Sequence, residues 1–506
     1  GAALACFAGT PALYSWTTTS PGSGAFSFGS WLSPTHAFGV LLFAALILVV
    51  AGVLDLRAVR PATLFMIIML VVAVAGAKSV FVPLLVAGLS LLLLIGRGLR
   101  RTVLCLLVPA AATMAFAQLV LYGGRTQGMV IAPGAAAGRM LDELFHTGPA
   151  SGLGALPVVV SVVFVIGWAA AFAGIAGLWC DRGACAEPAL IVCGGIGVAG
   201  AGAFLLFGHP GVSQYYFLRG AWPFLAVVAV AGLWSALREV PRQARPVTVA
   251  ASFLTGAAAT VVIGGADGKR PDFHAVGASG LVWPLLAPFV ILVAAVVISF
   301  LVVRRLTGGP AVVLLVVTGL CVAPTLGMVP RTAPAATTKP VISEGVVEAA
   351  RWLRAHSHPD DVVATNAHCR DGVEPCDHRR FWFSAYSERR MLVEGWTYTP
   401  TNLRNGTLER GQYHFAPFWD GLRLAANDAV FHDPSGAAAE LLQERYGVRW
   451  LFVDERDQRL SPRVADFADL RYRHGECAVY RLAVPAAADD PPGRHGMVAP
   501  RARVPI

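Results

Sequence analysis

The chain is dominated by long apolar runs separated by short polar spacers. About ten such runs lie between positions 37 and 328, and each approaches the roughly 20 apolar residues that cross a bilayer core of about 30 Å. Their approximate positions are 37–54, 61–77, 80–95, 103–121, 156–179, 188–207, 221–237, 247–263, 281–303 and 310–328. The pattern predicts a polytopic α-helical membrane domain over residues 37–329, which would have the lipid bilayer as its partner.

A polar sequence with soluble periodicity begins after Pro330. Ser343 can cap a helix to about 356, and five apolar stretches are predicted to be strands, at 362–365, 391–393 and 450–453 and in a closing pair at 470–473 and 477–482. A helix is predicted near 437–446 and a short one near 462–467, with a long irregular segment between the second strand and Phe431. Together these elements predict a small α/β domain over residues 330–484, followed by a disordered tail, 485–506.

The basic residues of the spacers predict the orientation, because cytoplasmic spacers collect Lys and Arg. The odd-numbered spacers carry Arg57, Arg60, Arg97, Arg100, Arg101, Arg182, Arg238, Arg242, Arg245, Arg304 and Arg305. The even-numbered spacers, although longer in total, hold only Lys78, Arg125, Arg139, Arg219, Lys269 and Arg270. The odd spacers are therefore predicted to be cytoplasmic. Residues 1–36 and the C-terminal domain would lie outside a plasma membrane that the chain crosses many times.

The N-terminal segment, residues 1–36, begins with Gly and contains no charged side chain. An extracytoplasmic start without an initiator Met predicts that the sequence is a fragment with at least one helix upstream. Composition supports the membrane assignment, since 56% of the 506 residues are hydrophobic, 14% are charged and the mean hydropathy is +0.61. The net charge of +9 comes from arginines in the spacers, so no nucleic-acid partner is predicted.

Two cysteines of the C-terminal domain, Cys369 and Cys376, flank a polar turn that contains Gly372 and Pro375. Their predicted extracytoplasmic location is oxidising, which favours a disulfide between them. A zinc site that adds His368 and His378 to the two thiols is the alternative, because the ligand types fit. No cysteine or histidine elsewhere in the chain is assigned as a metal ligand.

The segment after this turn, FWFSAYSERRMLVEGWTYTP, concentrates aromatic and charged side chains. One interpretation is a structural network in which arginines pair with carboxylates. The other is a binding wall, since aromatic rings stack on sugars and Arg binds phosphate in a bidentate manner. The binding interpretation assigns Trp382, Tyr386, Glu388, Arg389, Arg390, Glu394 and Trp396.

Outer-face cations and aromatics of the membrane domain form a second group of candidates. Lys78 follows the second run, Arg139 lies in a long outer loop, and Tyr215, Tyr216 and Arg219 lie in an aromatic spacer. They are either interfacial anchors or contacts to the phosphate of a lipid head group.

Several stretches carry a resemblance: GAKSVFVPLLVAGLSLLL, SQYYFLRGAWP, ARWLRAHSHPDDVVATNAHC, FWFSAYSERRMLVEGWTYT and ERYGVRWLFVD. Together they are similar to a group of uncharacterised actinobacterial polytopic membrane proteins, whose layout resembles the GT-C glycosyltransferases. The resemblance implies a polyprenyl-phosphate-linked sugar as donor, an envelope glycan as acceptor and an acidic base or metal ligand in the first outer loop. The N-terminal outer segment has no acidic residue, which departs from that pattern.

Asp142 and Glu143, an acidic pair in a later outer spacer, are the substitute candidates for the base or for contacts to a divalent cation. The predicted function is a GT-C-like glycosyltransferase of the cell envelope or a fragment of one. A non-catalytic envelope assembly protein is the alternative. A transporter is disfavoured because ionisable residues are almost absent from the ten runs.

Overall fold

The computed structural model describes residues 13, 33–96, 98–126, 128–145, 153–264, 273–303, 308–332, 342–370, 376–406, 413–456 and 460–483. The predictions for residues 1–32, apart from residue 13, and for the tail 485–506 lie outside this range. The chain divides into two compact units. Unit one is Gly1–Thr338 with Arg404–Gln412, and unit two is Lys339–Leu403 with Tyr413–Ile506.

Unit one is helical over the described residues, apart from a short antiparallel ribbon. Its first half contains α1 (Pro34–Leu56), α2 (Pro61–Ala77), α3 (Phe81–Ile95), α4 (Arg100–Phe116), β1 (Val130–Ile131), α5 (Ala135–Phe145) and α6 (Leu156–Ala171). Its second half contains α7 (Arg182–Cys185), α8 (Pro188–Leu206), β2 (Phe207–Gly208), α9 (Tyr215–Leu237), α10 (Arg245–Gly264), α11 (Phe273–Val303) and α12 (Gly309–Thr332). A π-helical turn, Ala117–Leu121, extends α4, and a 3-10 helix, Ala173–Cys180, follows α6.

Each of the ten predicted runs coincides with an apolar helix. Six of the described helices are long and apolar enough to cross a membrane by length and composition. A seventh span is formed if α6 and the 3-10 helix after it count as one, with a bend of 53° between them. Three further apolar helices are shorter: Pro61–Ala77, Phe81–Ile95 and Gly309–Cys321. The chain is therefore built as a multi-pass helical membrane protein, and the count of ten spans stays a prediction.

Small residues allow the helices of unit one to approach closely. A methyl group on Gly232 of α9 would overlap the carbonyl oxygen of Gly174, and one on Gly256 of α10 would overlap that of Val316 in α12. In lipid, where apolar surface gains little by leaving solvent, such backbone proximity and the van der Waals contact it permits hold helices together.

Unit two is an α/β domain with a five-stranded sheet. Its described elements are α13 (Glu344–His356), β3 (Val362–Thr365), α14 (Trp382–Ser387), β4 (Arg390–Met391), α15 (Pro400–Asn405), α16 (Gly421–His432), α17 (Gly436–Tyr446), β5 (Val448–Asp454), β6 (Ala468–His474) and β7 (Cys477–Leu482). The strand order is β4-β3-β5-β7-β6. The pairs β3–β4 and β3–β5 are parallel, whereas β5–β7 and β6–β7 are antiparallel.

Helices cover both faces of this sheet. Alternate residues of β5 are buried in opposite clusters, with Phe452 among α13 and α14 residues and Leu451 among α16 and α17 residues. A strand covered on both faces reads as a continuous apolar run, which is why WLFV could be recognised from the sequence. The prediction of an irregular segment before Phe431 is wrong for α16, which is a regular helix. Its first turn is capped by the Asp420 carboxylate, which accepts a hydrogen bond from the Arg423 N–H at 3.0 Å.

Candidate functional site

Three polar side chains of unit one meet at one end of its helices. The Lys78 Nζ lies 3.7 Å from the centroid of the Tyr216 ring, in cation–π contact. The His36 ring centroid lies 5.2 Å from that of Tyr216 and 5.5 Å from that of Phe81, on which it stacks. We call these residues the His36–Lys78–Tyr216 cluster. Lys78 and Tyr216 were predicted as site residues, and the structure brings them together.

Local backbone geometry positions each member of the cluster. Lys78 follows α2 in an extended conformation, and its carbonyl accepts the Phe81 N–H at 3.4 Å, so the chain turns tightly into α3. Gly39 of α1 lets this turn approach, because a Cβ there would lie 2.6 Å from the Phe81 ring. His36 lies in the first turn of α1. The three elements therefore converge on one point.

Tyr216 lies in the first turn of α9, which begins at Tyr215, six residues earlier than the helical run predicted from hydropathy. The loop before it is held by His209, whose Nδ1 accepts from the Gly211 N–H at 2.9 Å. Val212 in this loop has φ 50°, which is a strained conformation for a β-branched residue. Such strain is concentrated at functional sites, where the surrounding structure enforces it.

Two buried side chains here have polar atoms without a hydrogen-bond partner in the described part of the chain. They are Nδ1 of His36, which is 3% exposed, and Oε1 of Gln214, which is 1% exposed. An unsatisfied buried polar group costs about 1–3 kcal/mol, so such atoms are usually completed by water or by a ligand. Lys78 and Arg219 both lie near enough to His36 to act on it electrostatically. The region therefore combines two cations with hydrogen-bonding groups.

Neither His36 nor Gln214 was among the residues predicted from the sequence. The available signal was position: a lone His in the first turn of α1, three residues after Ser33, in a helix whose one charged side chain is Asp55 near its other end. Gln214 precedes the two tyrosines and was read with the aromatic spacer.

The remaining predicted residues of unit one, apart from Arg219, are positioned by other contacts. The Tyr215 ring packs edge-to-face on Phe204, with centroids 4.8 Å apart. Arg139 and Asp142 lie on α5, which packs against α6 through buried apolar residues such as Leu141. The β1–β2 ribbon connects the loop before α5 with the loop before α9. The Glu143 side chain lies outside the described residues.

In unit two, three residues of the predicted binding wall support the backbone. Arg389 is buried and donates to the carbonyls of Arg354 at 2.6 Å and Ser357 at 2.8 Å, which completes the C-terminal end of α13. Glu394 accepts from the first N–H groups of α14, and the indole N–H of Trp396 donates to the Ala416 carbonyl at 2.8 Å. These three side chains therefore make the contacts expected of a structural network, which was one of the two interpretations of this segment from the sequence.

The remaining members of the predicted wall keep part of their surface accessible. Glu388 pairs with Arg354 at 3.1 Å, and both side chains are more than half exposed. Trp382 and Tyr386 pack partly against the core beside α13, and Arg390 is exposed on β4. Binding by these four residues stays a prediction.

Cys369 and Cys376 form the predicted disulfide, with Cα atoms 5.2 Å apart. The Cys376 Sγ lies 3.2 Å from Nδ1 of His378, whose ring stacks on Trp396 at a centroid distance of 3.5 Å. Burial, followed by the neighbouring His368, lowers the pKa of His378 to about 4, so the ring is neutral at pH 7.

The two sulfurs and His378 also form a potential metal site, with their ligand atoms within 4.8 Å of one another. Zinc binds thiolates, so these sulfurs could hold a cation only after reduction of the disulfide. His368, the fourth member of the predicted zinc set, is engaged instead with Asp428 at 2.8 Å.

Comparison of the chain with protein-family models and with curated proteins finds no match. The function is therefore argued from the geometry of the His36–Lys78–Tyr216 cluster and from the chemistry that its residue types support.

Proposed function

We propose that the protein is a membrane glycosyltransferase of GT-C-like layout. In this proposal it binds a polyprenyl-phosphate-linked sugar at the His36–Lys78–Tyr216 cluster and transfers the sugar to a cell-envelope glycan. The observation that carries the proposal is the cluster itself, because two cations and the buried, unsatisfied Nδ1 of His36 are gathered beside exposed apolar helix surface.

The cluster suits a phosphate that is attached to an apolar chain. Lys78 and Arg219 supply positive charge that a buried anion requires, and charge-assisted hydrogen bonds from such cations are the strong ones. On the same helix as His36, Phe38 is 57% exposed and Leu41 is 67% exposed. A polyprenyl tail lying along this apolar surface would leave its phosphate within reach of the cluster.

Transfer needs a base for the acceptor hydroxyl, and we assign this role to Asp142. The acceptor oxygen attacks the anomeric carbon while the bond from that carbon to the phosphate oxygen breaks. The carboxylate takes the hydroxyl proton, and the polyprenyl phosphate leaves with the bonding electron pair.

Binding is tested by native mass spectrometry of the full chain in nanodiscs with polyprenyl phosphate. Lys78→Gln should weaken binding by about tenfold, which corresponds to about 1.4 kcal/mol. Arg60→Gln is the matched control, because Arg60 caps the opposite end of α2, about 25 Å away at 1.5 Å per residue. Equal binding by the wild type and Lys78→Gln contradicts the assignment of the phosphate site.

Transfer is tested separately with a polyprenyl-phosphate-linked radiolabelled sugar and an envelope-glycan extract. Asp142→Asn should keep lipid binding and lose transfer. Transfer at the wild-type rate by this variant removes Asp142 as the base. Lipid binding without transfer by the wild type would favour the non-catalytic assembly protein, an alternative that the structural roles of Arg389, Glu394 and Trp396 also favour.

A further inference from the structure

The sheet of unit two has a topological switch point. β3 lies between β4 and β5 and runs parallel to both. The chain leaves β3 to form β4 on one side and then returns to form β5 on the other side. In open α/β sheets, ligands bind in the crevice outside the carboxyl ends of the strands at such a point. Here that crevice lies beyond Thr365 and Asp454.

Polar groups from three segments meet here: the turn after β3, the end of β5 and α16. Asn366 follows β3 and exchanges two hydrogen bonds of 2.9 Å with the backbone of Asp454, which ties the two strand ends together. His368 follows two residues later and places Nε2 2.8 Å from the Asp428 carboxylate of α16. Asn427, also on α16, donates to the Thr365 carbonyl at 2.8 Å and to Asp428 at 3.0 Å.

Two of these side chains have an atom without a hydrogen-bond partner in the described part of the chain. They are Nδ1 of His368, which is 9% exposed, and Oδ1 of Asn427, which is 0% exposed. Nε2 of His368 is engaged with Asp428, and its Nδ1 donates or accepts according to the protonation of the ring, whereas the amide oxygen of Asn427 only accepts. A hydroxyl group can both donate and accept, so neighbouring hydroxyl groups are the natural complement of these two atoms.

We propose that this switch-point crevice binds a hydroxyl-rich ligand, namely a sugar unit of a glycan. Neighbouring hydroxyl groups of one sugar ring would hydrogen-bond to Nδ1 of His368 and to Oδ1 of Asn427. Asp428, whose side chain is partly exposed, would lie at the mouth of the site and accept a further hydroxyl.

A cation could also bind acceptor groups, but the charge here is small. Asp428 is the carboxylate of this set, and it already accepts from both His368 and Asn427. Hard cations such as Ca²⁺ take six to eight oxygen ligands and usually several carboxylates. This already engaged carboxylate therefore favours an uncharged ligand rich in hydroxyl groups over a cation.

The test uses the full chain in nanodiscs and saturation-transfer NMR with methyl glycosides of mannose, galactose, glucose and arabinose. In His368→Gln, the amide nitrogen of Gln takes the place of Nε2. The variant therefore keeps the hydrogen bond to Asp428 and loses the ring atom Nδ1. It should weaken glycoside binding by about tenfold, as expected for a lost hydrogen bond of about 1.4 kcal/mol. His358→Gln, at an exposed histidine of the same unit, should bind as the wild type does.

Three results would overturn the proposal. They are the absence of saturable binding for all four glycosides, equal affinity in the wild type and His368→Gln, and saturable binding of CaCl₂ or ZnCl₂ in place of glycosides. If His368→Gln does not fold, Asp428→Asn replaces it, because this variant keeps an oxygen for His368 and removes the carboxylate at the mouth. All these residues belong to unit two, so the outcome is independent of lipid binding by Lys78.

Discussion

Glu394 makes the stability of unit two depend on pH in a direction opposite to that of most carboxylates. Burial raises the pKa of its carboxyl from 4.5 to about 7, although the N–H groups of Phe383 and Ser384 and the charge of Arg380 oppose the shift. In this site the loss of hydration outweighs the hydrogen bonds to the ionised form.

The sign and size of the effect follow from the two pKa values. Between pH 4.5 and about 7, the unfolded chain loses the proton while the folded chain keeps it. The free energy of unfolding therefore falls as the pH rises through this window, and the full loss is present above it. One pKa unit corresponds to about 1.4 kcal/mol, so the ionisation of Glu394 costs the folded state about 3 kcal/mol.

Glu394→Gln keeps an oxygen for the N–H groups of α14 and cannot ionise. We expect it to be more stable than the wild type above neutral pH and to match it near pH 4.5, as measured by chemical denaturation of the full chain with a Trp fluorescence readout. Glu388→Gln, at an exposed acid paired with Arg354, is the control and should keep the wild-type pH profile. A Glu394→Gln variant that is less stable than the wild type at all pH values would refute the reasoning, because the carboxylate would then be a favourable cap.

Further predictions concern topology, the disulfide and helix packing. A cysteine introduced by Glu440→Cys on the exposed side of α17 should react with an impermeant reagent in intact cells, and reaction only after permeabilisation would reverse the orientation. Peptide mapping without reductant should recover Cys369 linked to Cys376, whereas two alkylatable thiols would argue against the bond. Gly256→Leu should overlap a carbonyl of α12 and lower stability in detergent by about 1–3 kcal/mol. Gly52→Leu, with open space around it, is its control and should leave stability unchanged.

Sequence reasoning succeeded where the determinant was local. Apolar runs became helices because a chain segment in lipid must satisfy its own backbone hydrogen bonds. The strand in WLFV and the helix capped by Ser343 were likewise predicted from neighbouring residues. The predicted start of α9 was too late, because Tyr215 and Tyr216 were interpreted as aromatic residues of a spacer. In the structure they form the first turn of the helix.

The roles of single polar residues were harder to predict. Arg389 caps α13 through carbonyls more than 30 positions away in sequence. The same residue type in the same motif would bind phosphate if that helix ended elsewhere. His36 joined the site because three distant helix ends meet, which no local pattern records. Contacts between residues distant in sequence thus determine whether such a polar side chain supports the fold or joins a candidate binding site.

We propose above that the His36–Lys78–Tyr216 cluster receives the phosphate of a lipid-linked sugar. An experimental structure of the full-length protein bound to a polyprenyl-phosphate analogue tests this most directly. We expect the phosphate in hydrogen-bond contact with Lys78 Nζ and near Arg219, with the polyprenyl tail along α1. A head group bound away from both cations would contradict it.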